Sequence, residues 1–143
     1  MRSSVKTTPL QQSTAALLAV GVPRGGSKTP ASLRALDKSL KGEISRVLAS
    51  GDFSGKPGET AVFYPSSGPK RVALVGIGKA DAVDGGAVRK AAAHAARRAV
   101  EFGASSLAFA IAGEVSSKVE PEQFGRTVME GAGQGGWVFE QLR

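Results

Sequence analysis

Arg71-Val72-Ala73-Leu74-Val75-Gly76-Ile77-Gly78-Lys79 is the stretch whose reading decides the fold. From Val72 to Ile77 neither alternating face carries a polar side chain, the pattern of a strand covered on both sides. Such a strand belongs in the middle of a sheet, so its neighbours must supply helices for both faces. Upstream, Thr60-Ala61-Val62-Phe63-Tyr64 reads as a strand, and Pro65-Ser66-Ser67-Gly68-Pro69 is short enough to join the two as a hairpin. Downstream, Asp84 is placed to cap a helix over residues 85–102 that Gly103 ends. On that helix Val88, Ala92, Ala95, Ala99 and Phe102 gather on one side, and Lys90, His94, Arg97, Arg98 and Glu101 on the other.

The same alternation continues outward. Ala15 to Val20 is a continuous apolar run of strand length, and Gly21-Val22-Pro23-Arg24-Gly25-Gly26 follows as breakers and loop. Thr29 before Pro30 reads as a helix N-cap with Pro at the first helical position. Leu33, Leu36, Leu40, Ile44, Val47 and Leu48 then recur at spacings of three and four, with Gly42 placed to bend or divide the helix and Gly51 to stop it. Ser105 to Ala112 is a further strand. Pro121 opens a last helix through Phe124, Val128 and Ala132 toward Val138, and residues 1–13 are a loosely ordered start or an edge strand around Val5. These elements define an α/β three-layer sandwich with a mostly parallel mixed sheet and helices on both faces.

Composition bounds the chemistry. A chain of 143 residues buries a core without disulfides or a structural metal. With no Cys, thiolate metal sites and a cysteine nucleophile are excluded, and a single His, His94, excludes a multi-histidine site within one chain. A reducing, cytoplasmic setting fits this composition. No apolar run approaches bilayer-spanning length. The apolar stretch from Ala15 follows too long a polar leader for a signal peptide, and a buried strand explains it better.

A net charge of +7 raises the question of a polyanionic partner. The densest basic surface is Arg89, Lys90, Arg97 and Arg98, but no aromatic residues interleave with them to stack bases, and the plain reading is the solvated side of a helix. Gly76-Ile77-Gly78-Lys79 could cradle a phosphate on backbone N–H groups, yet it lacks the third glycine and direct helix entry of a dinucleotide fingerprint. Asp81 and Asp84 would also repel an anion there, so a tight exit from a strand competes with binding. Gly25-Gly26-Ser27-Lys28 could do the same or simply be a loop. Asp37, Glu43, Asp52, Glu59, Asp81, Asp84, Glu114, Glu120 and Glu122 form no paired metal-ligand motif, and His94 lacks a carboxylate or Ser partner one helical turn away. No residue of the chain is assigned to catalysis, to a cofactor or to a metal.

Several segments, in order, resemble the N-terminal domain of the M17 leucyl aminopeptidase family. They are residues 36–45 leading into Ala49-Ser50-Gly51-Asp52-Phe53-Ser54-Gly55-Lys56-Pro57-Gly58-Glu59, the stretch 71–79, Val88-Arg89-Lys90-Ala91-Ala92-Ala93, and Glu130-Gly131-Ala132 with Trp137 and Phe139. The resemblance covers about residues 13–143, and the domain is placed at 14–143. It departs from the family at Leu142, where a second Tyr is common, and at Gly133-Gln134-Gly135-Gly136, more glycine-rich than the usual helix. The resemblance implies a macro-domain-like fold that serves assembly and active-site access in a two-domain, hexameric, cytoplasmic enzyme releasing N-terminal residues from peptides. It implies two divalent metals, zinc, manganese or magnesium, in a C-terminal catalytic domain whose ligands lie beyond Arg143, within and around an Asn-Thr-Asp-Ala-Glu-Gly-Arg motif that this chain lacks. Two other readings stand beside it. One is a standalone macro-like module for a phosphate ligand such as ADP-ribose; the other is weak, non-specific nucleic-acid binding through the basic helix.

Overall fold

The computed structural model describes residues 2–6, 9–25, 28–112 and 138–142. Six strands form one sheet: β1 (Arg2–Lys6), β2 (Leu17–Arg24), β3 (Thr60–Phe63), β4 (Arg71–Lys79), β5 (Ser106–Ile111) and β6 (Val138–Leu142), in the order β1-β6-β5-β2-β4-β3. Every ladder is parallel except β3–β4, which is the hairpin expected across Pro65–Pro69. Among the described residues the α-helices are α1 (Arg34–Ser39), α2 (Glu43–Ser50) and α3 (Gly85–Glu101).

Side chains of β2 alternate between two cores. Leu17 and Ala19 pack with Ala73, Val75, Leu107, Phe109 and the apolar face of α3. Leu18 and Val20 pack with Val72, Leu74, Phe53 and the Leu and Ile residues of α1 and α2. The sheet is therefore the middle of three layers, and the strands that read as continuous apolar runs are the ones with helices on both sides.

Local chemistry moved several boundaries. The run expected to end at Val20 continues as β2 to Arg24. Pro23 is accommodated because the β5 ladder stops at Gly21, so its missing N–H leaves no neighbour unpaired, and the β4 register shifts between Val22 and Pro23. The strand expected from Arg71 to Ile77 runs on to Lys79, so the glycine turn expected at Gly76–Gly78 is the last part of β4. The helix expected from Thr29 starts later, with a 3-10 turn at Ala31–Leu33 before α1. Thr29 does not cap it; its hydroxyl meets the Ser45 hydroxyl at 2.6 Å. Gly42 divides the helix outright at φ 81, and Gly51 ends α2 at φ 82. Asp84 caps α3 as expected, its carboxylate accepting from the Ala87 N–H at 2.9 Å.

Val138, toward which a final helix was expected to run, instead begins β6, where parallel ladders to both β1 and β5 fix the backbone. The rest of that expected helix lies outside the described residues. Arg2–Lys6 is a strand at the sheet edge.

Candidate functional site

Ligands of open α/β sheets sit beyond the carboxyl ends of the parallel strands, where neighbouring connections leave in opposite directions. Here β2 leads through α1 and α2 on one face to the β3–β4 side, and β4 returns through α3 on the other face to β5. The carboxyl ends of β2, β4 and β5 are therefore the place to look.

The glycines of β4 are not free at that end. The Gly76 N–H donates to the Glu59 carbonyl at 2.9 Å, and the Gly78 N–H to the Gly55 carbonyl at 3.0 Å. A Cβ on Gly76 would lie 1.9 Å from the Lys56 carbonyl oxygen, so only glycine permits the loop at residues 55–59 to lie against the strand. Gly55, at φ 91, is equally confined, since a Cβ there would meet the Arg24 Cα at 2.8 Å. The pattern that suggested a phosphate cradle is thus a backbone-to-backbone packing site, with the N–H groups that a phosphate would need already donated.

Glu59 organises that loop. One carboxylate oxygen accepts from the Ser54 hydroxyl at 2.8 Å, the Lys56 N–H at 2.8 Å and the Ser54 N–H at 3.1 Å. The Ser54 hydroxyl first, then the Lys56 N–H, hold its carboxyl below the usual carboxylate range. Sequence reasoning overlooked this role. The available signal was a Ser and a Glu bracketing Gly55-Lys56-Pro57-Gly58, where a turn leaves backbone donors needing an acceptor.

Asp37, 9% exposed, does the same for the divided helix. Its carboxylate accepts from the Ile44 N–H at 2.8 Å, the Ser45 N–H at 3.2 Å and the Ser45 hydroxyl. Gly42, the residue preceding α2, has no side chain to cap it, and Asp37 supplies the missing acceptor from the preceding turn.

The basic face of α3 is largely engaged within the domain. The Arg98 guanidinium donates to Thr60 Oγ1 at 2.6 and 3.2 Å and to Glu101 at 3.0 Å, which ties α3 to the edge strand β3. Arg97 donates to His94 Nδ1. Burial first, and the Arg97 charge second, push the His94 imidazole below its ordinary value, which favours its neutral form. Arg89 also has a partner, and Lys90 is exposed. Arg71, at the start of β4, stacks on Phe102 with its guanidinium carbon 4.5 Å from the ring centroid and 6.0 Å from that of Tyr64.

Four carboxylates of the described residues are already engaged. Asp37, Glu59 and Asp84 act as acceptors for backbone N–H groups, and Glu101 pairs with Arg98. Among the described residues no group of three or more His, Cys, Asp or Glu could hold a metal ion. No helix among them is long and apolar enough to cross a membrane.

The strand order and two helical layers define an α/β domain of macro-domain-like fold. The macrodomain of Trypanosoma brucei, solved in complex with ADP-ribose, superposes with a TM-score of 0.72 over 99% of this chain and 63% of that one, at 13% identity. A tomato leucine aminopeptidase mutant, K354E, superposes at 0.83 over 100% of this chain and 32% of that one, at 23% identity. Sequence narrows the class. The pattern of the cytosol aminopeptidase family, N-terminal domain, matches residues 19–143, and the chain belongs to that family. A probable cytosol aminopeptidase of Synechococcus sp. (strain CC9605) is 39% identical over 101 residues, 70% of this chain; the match spans only 20% of that relative's length.

Proposed function

We propose that the chain is the non-catalytic N-terminal domain of a longer cytoplasmic di-metal aminopeptidase, where it serves assembly and access to the active site. One observation carries this reading: the family match occupies residues 19–143, while the aligned part amounts to a fifth of the relative's length. In this reading the two divalent metals, zinc, manganese or magnesium, and their ligands belong to the catalytic domain. The carboxylates described above fit that division, because they hold this domain's own turns and caps. The homo-oligomer, a hexamer in the full-length protein, belongs to the same proposal.

The chain alone is expected to show no hydrolysis of leucine-p-nitroanilide with added manganese or zinc, and metal-dependent turnover would overturn the proposal. Fused ahead of a relative's catalytic domain in place of that relative's own N-terminal domain, it is expected to support the native oligomer in sedimentation. A fusion that stays monomeric would remove the assembly role.

A second reading, binding of ADP-ribose by the domain itself, is favoured by the likeness to the macrodomain solved with that ligand. It places the ligand at the carboxyl ends of β2 and β5. Calorimetry that detects no heat with ADP-ribose would eliminate it.

A further inference from the structure

We propose that Arg24, Lys79 and Lys56 form a site for a small phosphate-bearing anion at the carboxyl ends of β2 and β4, distinct from the β2–β5 position of the ADP-ribose reading and independent of it. Arg24 and Lys79 are the last residues of adjacent central strands and are register partners in a parallel ladder. Their backbones are therefore about 5 Å apart. Like charges directly opposite one another are destabilising, and nothing in the packing requires them, since both side chains are exposed.

The register shift at Val22/Pro23 is what makes them partners: Val22 pairs with Gly76, Pro23 with Gly78 and Arg24 with Lys79. A bulge of this kind re-aims the residues beyond it and recurs beside functional sites. Lys56 reaches the same corner because its loop lies on both strands, with Gly55 against Arg24 and the Lys56 carbonyl against Gly76. The loop is fixed by Glu59 and cannot drift away without breaking three hydrogen bonds.

Compensating charge is scarce. Among the described residues, Arg24, Lys56 and Lys79 make no ion pair. Glu59 acts on Lys56 through its charge, and its carboxylate is engaged with Ser54 and the Lys56 N–H. Asp81, two residues beyond Lys79, is exposed. The Arg24–Lys79 pair thus carries the uncompensated charge, with Lys56 at its rim. Because the glycine N–H groups of β4 are already donated, binding rests on side chains. A guanidinium fork and an ammonium suit a compact multi-oxygen anion such as a phosphate ester or a diphosphate.

The test uses the 143-residue chain in low-salt buffer with inorganic diphosphate as probe and sodium sulfate at matched ionic strength as control. Wild type is expected to bind diphosphate with roughly millimolar or tighter affinity by calorimetry, and its thermal midpoint is expected to rise more in diphosphate than in sulfate. Arg24→Gln and Lys79→Gln should each weaken binding about tenfold or more, while Lys38→Gln on α1 leaves it unchanged. The sign of the stability effect separates a binding role from a structural one. Either variant should raise the midpoint without diphosphate, by relieving repulsion, and lower it relative to wild type with diphosphate. Equal binding by wild type and both variants would overturn the proposal, as would a diphosphate response no larger than that of sulfate.

Discussion

The two helical layers solve the same problem with different materials. The helix side of the α3 layer is built from alanine: Ala91, Ala92, Ala95, Ala96 and Ala99 share one core with Leu17, Ala19, Ala73, Val75, Leu107 and Phe109 of the sheet. Side chains this small let one straight helix lie close against the strands. The α1–α2 layer is built from Leu33, Leu36, Leu40, Ile44 and Leu48 against Leu18, Val20 and Leu74. Larger side chains hold the backbone farther out, and the helix there is broken in two. Close approach demands one unbroken cylinder, whereas bulky side chains tolerate a kink because they can reach the sheet from two directions. The layers also differ outside: Arg97 and Arg98 on α3 are tied to His94, Thr60 and Glu101, while Arg34, Lys38, Lys41 and Arg46 on α1–α2, like Lys90 on α3, stand exposed.

This contrast can be broken at definite positions. The largest effect is expected from Ile44→Ala in the α1–α2 layer, a cavity worth about 2–5 kcal/mol in urea unfolding. A loss under roughly 1 kcal/mol would mean that the layer collapses to fill the space. Ala95→Leu tests the other side by overfilling, and a loss of about 1–3 kcal/mol is expected. If that variant keeps wild-type stability, α3 is not close-packed and the comparison fails.

Asp84→Ala removes the α3 cap and should cost about 1 kcal/mol. Lys41→Gly should work in the opposite direction. Lys41 is the sole non-glycine residue with positive φ among those described, and relief of the left-handed strain is expected to offset glycine's entropy and stabilise by a few tenths to about 1 kcal/mol. Destabilisation instead would show that the Lys41 side chain holds the helix break together.

The smallest effect concerns pH. Because folding lowers the Glu59 pKa, its contribution is fully present above the ordinary carboxylate value of 4.5 and is lost as pH falls through the folded value. Wild type should therefore lose more thermal midpoint than Glu59→Gln over that acid range, and parallel pH profiles would contradict the loop assignment.

The same contrast governs what was legible beforehand. On α3 the capping Asp, the small-residue stripe and the terminating Gly103 all specify one helix, and the structure follows them. On α1–α2 the apolar spacing is continuous across a break, because Leu36, Leu40, Ile44 and Leu48 face the core on either side of it. Gly42 pointed to the division, but the acceptor that stabilises it, Asp37, acts seven residues away on Ile44, a distance that local cap patterns do not cover. Periodicity likewise could not separate the end of β4 from a turn at Gly76–Gly78. That distinction depends on the loop at 55–59, which comes from another part of the chain and consumes the very donors that suggested a phosphate site. The last strand was obscured because a five-residue strand shows little alternation of its own and is defined by its neighbours.

The pairing of β1 with β6 also has a meaning in time. Among the described residues, Arg2–Lys6 pairs in the sheet with Val138–Leu142 alone, so β1 has no partner to dock on until β6 has emerged from the ribosome. The helices, the β3–β4 hairpin and the β2–β4 and β2–β5 ladders can all assemble before then. Nascent chains halted short of Val138 would carry β1 as an unpaired tail on an otherwise folded body, which makes this ladder the step that marks the domain as finished.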